Sequence, residues 1–217
     1  MSKVFELIEQ NEEMELYRLE TEPFGTNAYS VICRKTGESI LVDAPGDAAL
    51  IENKLKDSGV KYILLTHGHM DHTMVLEELH RSLGTALAAH EGDTDKLPVR
   101  PDKQLKDGDR IECGKLKLEV IHTPGHTAGS ICFKTGNYLI SGDTIFPGGP
   151  GKTASPEDFK TITVSIRDKV LTLPDETIIL PGHGASTTVK REKELFAEFS
   201  RRGYSDLLCG DVTWLES

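Results

Sequence analysis

No stretch of this sequence approaches the roughly 20 consecutive apolar residues a membrane helix needs, and its start, MSKVFELIEQNEEME, has no basic head followed by an apolar run. The expectation is a soluble, cytoplasmic protein with no membrane partner. Basic runs are missing too. Acidic side chains outnumber basic ones by 35 to 25, for a formal net charge of −10, so nothing here tracks a phosphate backbone and nucleic acid is excluded as a partner. Cysteine is scarce: Cys33, Cys113, Cys132 and Cys209 lie far apart and form no CxxC pair. That pattern argues against a disulfide framework or a zinc ribbon and for reduced thiols. Linkers, low-complexity segments and short repeats are absent as well. The 217 residues are enough for one sizeable core, and a single domain over 1–217 is expected.

What is present begins with alternation. MELYRLET, AYSVICR and ESILVDAP alternate apolar and polar residues or run briefly apolar between turn residues, as strands do. Residues 47–55 switch to helical spacing and end near Gly59; YILLT (62–66) returns to strand length; residues 73–81 read as a helix closed by Gly84. A second β-rich half follows at 110–113, 116–121, 130–133 and 138–140, then a helix from about Pro156 to Val170, a strand at 177–180 and a last helix near 188–201. Two β-rich halves, each with helices, suggest an α/β protein of two sheets packed face to face with helices outside.

Chemistry concentrates where YILLT stops. THGHMDHT places His67, His69, Asp71 and His72 within six positions at the end of a strand. A loop there turns His67 and His69 to one side, while the start of the next helix aims Asp71 and His72 elsewhere. Four ligands from six residues would crowd a single tetrahedral ion, so two metal ions a few ångströms apart suit the pattern better. Three further strand ends carry a potential ligand in a Gly-containing turn: His126 in HTPGHTAGS, Asp143 in YLISGDTIF and His183 in TIILPGHG.

With LVDAPG, THGHMDH, HTPGHTAGS, SGDTIF and LPGHG in this order, the chain resembles the metallo-β-lactamase superfamily, and within it the glyoxalase II-like hydrolases. The resemblance runs from about Ala28 to His183. It implies an αββα sandwich of two mixed β-sheets flanked by helices. It also implies that His67, His69 and His126 bind one divalent metal ion, that Asp71, His72 and His183 bind another, and that Asp143 bridges them. Zinc is the expected metal, with iron or manganese accepted by the same hard ligand set. Asp43, in LVDAPG, looks like the family aspartate that accepts a hydrogen bond and orients ligands. His80, His90 and His122 match no ligand motif, and His122, four residues before His126, is the best placed of them to support the site.

This ligand set implies a hydrolase. Two divalent ions roughly 3.5–4 Å apart hold a bridging water, lower its pKa to about 7 and polarise a carbonyl, so no serine or cysteine nucleophile is required. Asp143 is expected to hold the ions together, and Asp71 to add charge that retains the second. A thioester suits such a site because a thiolate, with a conjugate acid pKa of about 8.5, departs without a dedicated acid. Lys152, nine residues past Asp143, matches a basic substrate-facing residue of glyoxalase II-like proteins and suggests an anionic small-molecule substrate. Against glutathione itself, the aromatic residues of glutathione-using members are replaced by Ala154 and Ala185, and the stretch after His183 holds only a helix and a tail instead of a helical C-terminal domain. Trp214 in that tail is expected to pack over the core. The alternatives are a mononuclear iron persulfide dioxygenase, using His67, His126 and Asp143, and a lactonase or other ester hydrolase of the superfamily.

Overall fold

A computed structural model describes residues 5–216. The first half forms a seven-stranded sheet: β1 (Glu6–Gln10), β2 (Met14–Thr21), β3 (Thr26–Cys33), β4 (Glu38–Val42), β5 (Gly59–Leu64), β6 (Ala86–His90) and β7 (Lys103–Leu105), in that spatial order. The first four strands pair antiparallel, and β4 to β7 pair parallel. Parallel neighbours need crossovers, supplied by α1 (Ala48–Leu55), by α2 (Met70–Thr73) with α3 (Leu76–Leu83), and by the segment with the helical turn Glu91–Lys96. The second half contributes β8 (Arg110–Cys113), β9 (Leu116–His122), β10 (Ile131–Thr135), β11 (Tyr138–Gly142), the small hairpin β12 (Ile145–Phe146) and β13 (Gly149–Pro150), α4 (Pro156–Ser165), β14 (Ile178–Pro181), β15 (Thr187–Thr188) and α5 (Val189–Arg202). Its six-stranded sheet runs β15-β14-β11-β10-β9-β8 and is also mixed, because β11 and β14 pair parallel.

Strand periodicity explains the layering. Along β4, Ile40 and Val42 point into the space between the sheets, where they meet Leu118, Val120, Phe133 and Ile140 of the second sheet. Leu41, between them, faces the other way and packs with Ile51 and Leu55 of α1 and Leu79 of α3. On the far side Leu139 and Ile179 pack under Phe159 and Ile162 of α4 and Phe199 of α5. Strands covered on both faces read as near-continuous apolar runs, and each fully buried side chain of this kind contributes about 1.5–3 kcal/mol. The result is helix, sheet, sheet, helix, as the resemblance implied.

Several boundaries differ from the sequence reading. The strand at YILLT begins earlier, at Gly59, and closes at Leu64 because the Thr66 amide turns to the Asp43 carboxylate. The helix at 73–81 is two helices. Ala44 donates its N–H to the His72 carbonyl and accepts one from Val75, diverting the backbone between them. Gly84, at φ 58, does close α3. Beyond Ser165 the helix widens to i→i+5 bonding over Ile166–Val170. Strands β1, β6 and β7 were not legible as strands. Among the described residues no helix is long and apolar enough to cross a membrane.

Candidate metal centre

Strand ends from both sheets meet at one edge of the sandwich. Past β4, Asp43 takes the left-handed conformation at φ 63, uncommon for a residue with a Cβ. Its buried carboxylate accepts hydrogen bonds from the Thr66 amide (2.8 Å), the Thr66 hydroxyl (2.8 Å) and His72 Nδ1 (2.9 Å). Since Thr66 Oγ1 donates to Asp43, it accepts from His67 Nδ1 at 3.1 Å. Asp43 therefore sets the orientation of two histidines, one directly and one through Thr66, and turns the Nε2 atoms of both, a lone pair in His67, towards the centre.

The His67 lone pair has company. His126 Nδ1 donates to the Lys152 carbonyl at 2.8 Å, which leaves its Nε2 as an acceptor 3.2 Å from His67 Nε2 and 2.9 Å from His69 Nδ1; His67 Nε2 and His69 Nδ1 are 3.1 Å apart. Two Nε2 lone pairs facing each other at that distance repel unless a cation lies between them. Ligands held about 2.05 Å from a tetrahedral zinc are about 3.3 Å from one another, so this triangle has the size of one face of such a site. Burial, then the neighbouring His72, hold His67 well below the ordinary imidazole range, so it offers a lone pair rather than a proton.

A second cluster lies alongside. His72 Nε2 is 3.6 Å from Asp71 Oδ2 and 3.2 Å from Asp143 Oδ1; His183 Nε2 is 3.1 Å from Asp71 Oδ2 and 3.5 Å from Asp143 Oδ2. Asp143 Oδ2 also comes within 3.6 Å of His126 Nε2, so this carboxylate stands between the two clusters. His72 Nε2 and Asp143 Oδ1 are buried with no hydrogen-bond partner among the described residues. A buried polar atom left so is costly, and a cation would satisfy both. Burial opposes charging His72, yet Asp43 and Asp143 outweigh it and lift the imidazole to about 10. Hydrogen bonds to Asp143 and Asp71 lift His183 to about 10 as well. On the protein's own groups alone, a proton stands where a metal ion fits. His67, His69 and His126 form one group able to hold a cation, and Asp71, His72 and His183 another. Close approach also needs Gly182, because a Cβ there would overlap Asp143 Oδ1 and press on His72.

Other expected residues stand apart. The Lys152 ammonium is exposed and 3.7 Å from Asp211, itself exposed; only its carbonyl reaches the centre. His80 pairs with Asp102 at the surface. His122 stacks on His90 and contacts the Ala128 carbonyl, not a cluster member. The four cysteines are free, and Trp214 is fully buried against Phe196 and Phe199. The sequence reading missed Asp93, a buried carboxylate bonded to Gly68 and Thr127. Its signal, an acidic residue just past an apolar run, was too common to notice.

A family model described as the Metallo-beta-lactamase superfamily matches residues 21–183. The chain belongs to that superfamily. The superfamily is one of metal-dependent hydrolases with a dimetal site, and this chain carries His/Asp clusters able to hold cations. The hydroxyacylglutathione hydrolase GloC of Haemophilus influenzae is 32% identical, over 76% of this chain and 88% of its own. Among solved structures, the BLEG-1 B3 metallo-β-lactamase superposes with a TM-score of 0.74 at 26% identity, covering 82% of this chain and 96% of that one. TTHA1623, solved in a di-iron-bound form, gives 0.63 at 26% identity, covering 89% and 97%.

Proposed function

We propose that the protein is a binuclear metal-dependent hydrolase acting on a thioester. The observation that carries this reading is the convergence of three imidazole nitrogens beside two orphaned buried atoms, His72 Nε2 and Asp143 Oδ1. In it, His67, His69 and His126 would hold one divalent cation and Asp71, His72 and His183 the other, with the Asp143 carboxylate placed between the two groups to serve either. Zinc is the favoured metal for an imidazole and carboxylate set, and the di-iron form of TTHA1623 supports iron as an alternative. When bound, the pair supplies hydroxide at neutral pH and a Lewis acid for the carbonyl oxygen.

The chain's own groups do the positioning. Asp43 holds His72 and, through Thr66, His67 in the tautomers that present Nε2; the Lys152 carbonyl does the same for His126. Asp71 and Asp143 place two negative charges against two dications. These ionisable groups are spent on metal, so a leaving group that departs unprotonated suits the site, and a thiolate does so at about pKa 8.5. The likeness to GloC, a hydroxyacylglutathione hydrolase, supports an acyl thioester.

The test is a panel of acyl thioesters, lactones and glutathione persulfide given to metal-loaded protein. Thioesters should be cleaved fastest, with no oxygen consumed. Oxygen uptake on the persulfide by protein carrying a single iron would replace this reading with the dioxygenase.

A further inference from the structure

Asp93 lies in the helical turn Glu91–Lys96 that follows β6, with 2% of its surface exposed. Its Oδ2 accepts the Gly68 N–H at 2.9 Å and the Thr127 hydroxyl at 2.6 Å; its Oδ1 accepts the Gly129 N–H at 3.3 Å and the Lys96 ammonium at 2.9 Å. Gly68 is the residue between His67 and His69, and Thr127 follows His126. One buried carboxylate thus ties together the loop past β5, in the first sheet, and the loop past β9, in the second.

The surroundings are built around it. Thr127 Oγ1 spends its proton on Asp93 and so accepts one from Ser130 Oγ at 2.8 Å, while Ser130 Oγ accepts the Thr127 amide at 3.1 Å. Each group in this small circuit is satisfied. Gly129 leaves the room: a Cβ there would stand 2.7 Å from Asp93 Cγ. None of the hydrogen bonds of Asp93 goes to Asp71, His72 or His183. The contrast with Asp43 is direct, since Asp43 bonds to His72 and reaches His67 through Thr66.

We propose that Asp93 is the positioning residue of the three-histidine site alone: by clamping Gly68 to Thr127 it sets the spacing at which His67, His69 and His126 meet one cation. The proposal rests on the binuclear reading above and concerns only one half of it. A carboxylate is required because all four partners donate. An amide in the same place keeps the shape but turns an NH2 group against N–H or O–H donors, which cannot be satisfied together.

Asp93→Asn should therefore weaken metal binding at the three-histidine site by about 10–100-fold, the range seen when a group that orients metal ligands is removed. The cluster of Asp71, His72 and His183 should keep its affinity. Titration of metal-free protein with zinc, a diamagnetic ion, read by the imidazole nitrogen signals in NMR, separates the two. At limiting zinc the variant should fill one site, with the nitrogens of His72 and His183 shifted as for metal binding and those of His69 and His126 not. Thr127→Val, which removes the shortest of the four bonds while leaving Asp93 in place, should shift the same site in the same direction by less; it decides the matter if Asp93→Asn does not fold. Equal weakening at both sites, or an unchanged three-histidine site, would overturn the assignment and leave Asp93 a general fold residue. Loss of thioester cleavage from unmutated, fully loaded protein would count against the function proposed above and not against this.

Discussion

At Lys152 the backbone and the side chain of one residue point to different tasks. The carbonyl receives the Nδ1 proton of His126, while the ammonium stands in solvent 3.7 Å from an equally exposed Asp211. Exposed ion pairs are weak, so the ammonium can turn to a substrate carboxylate at little cost, but its gain there is small for the same reason. Lys152→Ala should lower kcat/KM for carboxylate-bearing thioesters by about fivefold at most, with small neutral thioesters unchanged. Steady-state kinetics on the two series check this. A loss on both would show that the substitution disturbs the His126 loop. The residues that converge at the centre were legible in the sequence because THGHMDH is contiguous and each of the others follows a short apolar run. Asp93 was not, because its loop partners lie 25, 34 and 36 residues away and no local pattern joins them.

Elements were legible where burial imposes a period. β3 and β4, buried on both faces, read clearly as apolar runs, whereas β6, the sequence ALAAH, lacks the β-branched and aromatic residues that mark a strand and takes its form from its parallel neighbours β5 and β7. The split between α2 and α3 was hidden for another reason: it depends on Ala44, about thirty residues earlier, competing for the backbone near Val75. The segment after α5 does pack as expected. Gly210 and Thr153 exchange backbone hydrogen bonds, Trp214 N–H donates to the Gly148 carbonyl, and the indole ring meets Phe196 and Phe199 at 5.3 and 5.0 Å between centroids. Trp214→Ala should cost about 3–5 kcal/mol, a fall in Tm of roughly 6–20 °C for a chain of this size. Trp214→Phe should cost much less, since the indole Nε1 has no partner among the described residues. A melting point within 2 °C of the parent for the alanine variant would show that the segment is not part of the core.

On the scale of the whole molecule, each half of the chain is a sheet with its own helices, and the metal centre is where their strand ends join. His67, His69, Asp71 and His72 follow β5 of the first sheet; His126, Asp143 and His183 follow β9, β11 and β14 of the second. The two-layer plan was legible because it follows from burial, but which strand ends meet is a matter of topology, and that came with the family resemblance. Metal ions at this junction would link the halves, and filling it has a proton signature. His72 and His183, raised to about 10 by the surrounding carboxylates, are protonated at neutral pH in the metal-free protein. Each must lose its Nε2 proton to bind a cation, so binding releases protons and apparent affinity rises with pH towards that value. The most direct measurement is calorimetric titration of metal-free protein with zinc at pH 7 in two buffers of different ionisation enthalpy. Two metal ions per chain, with a binding heat that shifts between the buffers by the amount expected for net proton release, is the predicted result. One ion per chain at saturation would contradict a binuclear centre built from these seven residues; a heat that does not depend on the buffer would contradict only the protonated state of His72 and His183.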